Sequence, residues 1–168
     1  MTQIYEAGGQ LLKVRAIMIL SLVCALATIW WGWTLFQTQG LRPADGGVLA
    51  PFGTRLAWGL GVASLGIAFA AAMWVYGRVY VSALQFDEAA RALHFRTVGF
   101  VGGRDLVFAE PDIISSTYQP GDSPRIARVS VDAPWIKVAI QGRHLPLILD
   151  AQGDFPDIVL AKRVLKAE

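Results

Sequence analysis

Hydrophobic and polar positions divide the chain into an apolar first half and an alternating second half. From Ala16 to Phe36 it runs AIMILSLVCALATIWWGWTLF, and from Leu56 to Tyr76 it runs LAWGLGVASLGIAFAAAMWVY, neither with a charged side chain. Each is close to the ~20 residues that a helix needs to cross about 30 Å of hydrocarbon. A helix is required there because every backbone N–H and C=O must find its partner within the segment once water is gone. Lys13 and Arg15 precede the first run, Arg55 precedes the second and Arg78 follows it. Trp30, Trp31 and Trp33 gather at the far end of the first run, and Trp74, Tyr76 and Tyr80 at the far end of the second, as interfacial aromatic anchors do. Two buried helices of a soluble protein would show a polar face, which neither run has. The first run exceeds the apolar segment of a signal peptide and is not followed by a small-residue cleavage site, so it is expected to be retained. Residues 37–55, QTQGLRPADGGVLAPFGTR, have the Pro and Gly content of a connecting loop. The expected division is an N-terminal flank (1–15), membrane spans at 16–36 and 56–76 joined by the loop, and a soluble β-rich domain (77–168).

Beyond Tyr76 the period changes to two. VYVSALQF (79–86) leads through Asp87-Glu88-Ala89-Ala90 into RALHFRTVGF (91–100), where Leu93 and Phe95 alternate with His94 and Arg96 as in a half-buried strand. Gly102-Gly103 predicts a turn, with strands at 105–109, 113–118 and 125–131 to follow, the last after a turn at Pro120–Pro124. Ile136, Val138 and Ile140, then Leu145, Leu147 and Leu149, predict a hairpin. Asp154-Phe155-Pro156-Asp157 opens a final amphipathic helix, with Asp154 as its expected cap and Phe155, Ile158, Ala161 and Leu165 on the packed face. The predicted fold class is therefore membrane α + β: a two-helix transmembrane hairpin, then a small antiparallel β domain with a C-terminal helix. Strand order suggests, by analogy, a pleckstrin-homology-like barrel.

Composition narrows the function. The 168 residues are 54% hydrophobic and 17% charged, against about 25% charged in soluble domains. That excludes a disordered chain and disfavours a wholly soluble one. A net charge of +2 is too small to argue for DNA. Cys24 is the single cysteine, so neither an internal disulfide nor a cysteine metal cage can form. Neither span carries an Asp, Glu, Lys, Arg or His of the sort that transport or proton relay needs. His94 and His144 stand far apart without metal-ligand spacing, and no nucleotide-binding or nucleophile motif occurs. No catalytic, cofactor or metal residue is expected, and the protein reads as non-enzymatic.

Two sets of residues remain as candidates. Gly59 with Ala63, and Gly66 with Ala70, are small-xxx-small pairs that let helix backbones approach closely. Such an interface serves either the first span or a partner's helix. Arg78, Arg91, Arg96 and Arg104 are candidate contacts for lipid headgroups or a partner, with Arg125, Arg128 and Arg143 adding to the basic character. Acids interspersed among them make a mixed solvated surface the commoner outcome, and ribosome contact has no further support.

The run Leu147-Ile148-Leu149-Asp150-Ala151-Gln152-Gly153-Asp154-Phe155-Pro156 resembles the Leu-Asp-x-x-Gly-x-Phe-Pro stretch of the mitochondrial transmembrane protein 223 family. Tyr5-Glu6 before the first span and Arg55 at the start of the second extend the likeness over nearly the whole chain. The resemblance implies a two-span hairpin with a β domain, and a role in assembling respiratory-chain complexes; it brings no catalytic residues. The expected function is an assembly factor or accessory subunit of a respiratory or related complex, with the bilayer and an integral membrane complex as partners. The alternative is a membrane-tethered lipid- or peptide-binding module. Without a presequence, the chain is expected in a bacterial inner membrane. The balance of Lys and Arg around the spans favours both termini in the cytoplasm.

Overall fold

The computed structural model describes residues 1–41, 46–119 and 134–166. The strand expected at 125–131 and its preceding turn, with Arg125 and Arg128, lie outside them. Two compact units are present: Ala16–Val75, and a second made of Met1–Arg15 together with Tyr76–Glu168.

The first unit holds most of two long helices, α1 (Gly9–Thr38, 30 residues) and α2 (Phe52–Val79, 28 residues). Both are long and apolar enough to cross a membrane. At 1.5 Å per residue they exceed the ~30 Å of hydrocarbon, each running several residues past its uncharged stretch. Leu26, Trp30, Leu60 and Leu65 are 69%, 73%, 62% and 70% exposed, which a core helix of a soluble protein would not permit. Hydroxyl groups within the helices turn back onto their own backbone: Ser21 donates to the Met18 carbonyl (2.6 Å), Thr28 to Ala25 (2.9 Å) and Ser64 to Gly61 (2.8 Å). Their polar atoms thus need nothing from an apolar solvent. Arg55 donates from Nη1 to the Phe36 carbonyl near the end of α1 (3.2 Å), and its guanidinium lies 5.2 Å from the centre of the Phe36 ring. A cation at a helix C-terminus meets the negative end of the helix dipole.

The second unit is β-rich. Strands β1 (Thr2–Glu6), β2 (Val81–Asp87), β3 (Ala92–Val98) and β4 (Gly103–Ala109) form one antiparallel sheet in that order. Strands β5 (Ile113–Gln119), β6 (Trp135–Ile140) and β7 (Leu147–Asp150) form another, and helix α3 (Ile158–Leu165) ends the described chain. The two sheets meet through isolated bridges, Glu6 with Asp154 and Tyr80 with Ile148. Among the described residues they do not close into the barrel that strand order suggested. Residues 2–6, within the segment expected to be a flank, add a strand from before the first span to the edge beside β2. Leu84, Phe86, Leu93 and Phe95 from the larger sheet, Val138, Ile140, Leu147 and Leu149 from the smaller one, and Leu160, Val164 and Leu165 from α3 are buried as the core. Asp157 caps α3, its carboxylate accepting from the Leu160 N–H at 2.8 Å. The cap was expected at Asp154, but that residue's backbone is bonded to Glu6 in both directions (2.9 and 2.8 Å).

Strand β1 is held by one clasp. Tyr5 is fully buried; its hydroxyl accepts from the Asp150 N–H at 3.1 Å, and its ring lies 4.9 Å from that of Phe155. Gly153 passes so close that a Cβ there would stand 2.6 Å from the Tyr5 ring and 2.8 Å from the Glu6 carbonyl oxygen. The Tyr80 hydroxyl donates to the Asp150 carboxylate at 3.4 Å. Burial raises both phenols above their ordinary value, and the Asp150 charge adds to the effect.

Three outcomes follow from the clasp. Tyr5→Phe leaves the Asp150 N–H without its acceptor and should cost about 1–3 kcal/mol, read as a lower midpoint in a thermal melt of the full chain in detergent. Gly153→Ala should cost about 1–3 kcal/mol by forcing apart backbone and ring. The phenols stay neutral in the fold while unfolded tyrosines ionise from pH ~10 upward. Stability contributed by the pair is therefore fully present below pH ~10 and declines above it. In Tyr5→Phe that alkaline decline should be shallower, measured by melts across the same pH range.

Candidate functional site

The four arginines proposed as contacts do not share one fate. Arg91, held at φ 47°, places Nη2 and Nε at 2.8 and 2.9 Å from the same Glu110 carboxylate oxygen. Arg96 lies opposite Asp105 in the β3–β4 register, and their side chains approach to 3.7 Å. Successive residues of a strand point to opposite faces. Arg104, next to Asp105, is therefore on the other face, opposite Thr97, where Leu106 and Phe108 follow it. There Arg104 and Arg78 line a cavity of about 350 Å³ together with Arg143, His144, Leu106 and Leu145.

Arg143 joins them here with His144, which is exposed. A turn that needs a positive φ at Gly142 (75°) delivers them between β6 and β7. Two backbone carbonyls then fix Arg143: Nε donates to Leu145 at 2.9 Å and Nη2 to Arg78 at 3.0 Å. Its pKa lies below the ordinary arginine value, first through burial, then through the charges of Arg104 and Arg78. Among the described residues no carboxylate lies within ion-pair distance of Arg104 or Arg143. The sequence signal that would have found this cluster is strand parity combined with the turn after β6; counting arginines along the chain is blind to both. Among the described residues no group of His, Cys, Asp and Glu is placed to hold a metal ion.

The small residues of α2 also divide by face. A Cβ on Gly59 would stand 2.9 Å from the Gly32 carbonyl oxygen of α1, and one on Gly66 would stand 2.8 Å from the Ala25 Cα and run into Thr28 Oγ1. Ala63 lies against Gly32, and Ala70, one helical turn beyond Gly66, is half-buried. This face packs on α1. The opposite face carries Ala57, Gly61, Ser64 and Ala68, all exposed, and a Cβ on Gly61 would meet nothing within 4 Å.

Leucine at the two faces should behave differently. Gly66→Leu should weaken the hairpin by about 1–3 kcal/mol through overpacking, seen as a lower melting point of the full chain in detergent. Gly61→Leu should leave that melting point unchanged, since its side chain enters open space. Equal losses in both variants would contradict the division of faces.

No curated protein matches the chain. The TMEM70/TMEM186/TMEM223 protein family matches it over residues 3–164, from β1 to the last turns of α3. The chain belongs to that family.

Proposed function

We propose that this protein is a non-enzymatic assembly factor or accessory subunit of an energy-converting complex in an inner membrane. The observation that carries the reading is the family match over residues 3–164, joined to the respiratory-assembly role that the resemblance at 147–156 implies. Two further observations support it. Strand β1 precedes the first span and β2 follows the second, yet the two pair directly. Paired strands must share one side of a bilayer, so the helices cross together as a hairpin, with residues 1–6 and 81–87 in the same compartment. One face of α2 is taken up by α1, and the other remains small and apolar, a surface on which a client helix can pack backbone to backbone. The β unit would then engage the client's extramembrane portion.

Blue-native separation after mild crosslinking should find the protein in a large membrane complex. Gly61→Leu should shift it toward the free form while its own melting point stays the same. Migration of the wild-type chain as a free monomer under both mild and crosslinked conditions would overturn the proposal.

A further inference from the structure

We propose that the cavity formed by Arg78, Arg104, Arg143 and His144 is a binding site for a phosphate group, supplied by the headgroup of an anionic phospholipid. The inference rests on α1 and α2 spanning a bilayer, and not on the assembly reading.

Three features carry it. The first is charge: Arg104 and Arg143 line one cavity of about 350 Å³ beside Arg78, neither with a carboxylate in ion-pair distance among the described residues, in a β-rich half whose acidic and basic residues are equal in number. The carboxylates that neutralise other arginines of the larger sheet, Glu110 and Asp105, are engaged with Arg91 and Arg96. Like charges brought together repel, and an anion seated between them removes that cost. The second is preorganisation. Arg143 is fixed by the Leu145 and Arg78 carbonyls through one side of its guanidinium. The remaining N–H groups keep the planar fork that matches phosphate oxygens. The third is position. Arg78 is in the last turn of α2, two residues past the end of the uncharged stretch at Tyr76. A group bound beside it is at headgroup depth, where basic side chains meet anionic lipid. Leu106 and Leu145 complete the lining with apolar surface, which suits the glycerol end of a lipid better than a fully hydrated ion.

The full chain, purified in a neutral detergent and stripped of lipid, is titrated separately with phosphatidylglycerol, phosphatidylcholine and inorganic phosphate, with bound molecules counted by native mass spectrometry. Phosphatidylglycerol should bind best. Arg104→Gln should weaken its binding about fivefold, from ~1 kcal/mol per basic group near a membrane surface. Arg96→Gln removes the same charge from the opposite face and should leave binding unchanged. Arg104 is exposed, so its variant should melt like the wild type. If inorganic phosphate binds as tightly as the lipid and is lost in Arg104→Gln, the phosphate site stands and its lipid source is overturned. Equal weakening by Arg96→Gln and Arg104→Gln, or phosphatidylcholine binding as well as phosphatidylglycerol, overturns the site. None of these outcomes depends on a client complex, so the result is separable from that of the native-gel experiment.

Discussion

The pairing of β1 with β2 is the constraint on which the rest of the structure depends. These strands are neighbours in the sheet but are separated in the chain by both long helices. The helical hairpin is thus an insertion within the β unit, and the unit is complete only when residues from both sides of the insertion meet. Tyr5 closes that join. Its ring fills the space over Gly153, beside Phe155, and its hydroxyl satisfies the Asp150 N–H. The Glu6–Asp154 bridge adds two backbone hydrogen bonds. A buried polar group without its partner costs more than the hydrogen bond contributes when made, so these pairings enforce one arrangement as well as stabilise it. A fragment beginning at residue 77 would lack β1 and expose the edge of β2, an invitation to unspecific strand pairing.

The short motifs that carried the family resemblance gain a physical meaning here. Tyr5-Glu6 and the run Leu147–Pro156 are far apart in sequence, but each is the other's packing partner. Arg55, the third, reaches the Phe36 carbonyl at the opposite end of the hairpin.

Local features of the sequence were legible and non-local ones were not. Long uncharged stretches and period-2 alternation declare themselves within a few residues, so both helices and β2 through β7 could be placed from the chain alone. Strand β1 could not. Its five residues, TQIYE, are bulged between Gln3 and Tyr5 and show no clean alternation, and the partner that makes them a strand lies beyond the second span. The cap of α3 depends on a non-local pairing too. Asp154 and Asp157 are equally good capping types, and only the pairing of Asp154 with Glu6 decides between them. The arginines were visible as a set but not as a site, since register sorts them: one residue's shift moves a side chain to the other face.

That sorting also explains how a half-chain with no excess charge presents a cationic cavity. Net charge sums over all faces, but a ligand meets only one. Asp105 and Arg104 are adjacent in sequence and would cancel in any count along the chain, yet the pleat directs them to opposite sides of β4, one toward Arg96 and one toward Arg143. The same reasoning applies to α2, where small residues on every side look like a single feature until Gly59 and Gly66 are spent on α1 and Ala57, Gly61 and Ala68 are not. In both elements the chain's own packing consumes one face. What is left on the other, guanidinium groups lining a cavity in one case and unfilled space over glycine in the other, is where an external molecule has something to gain by binding.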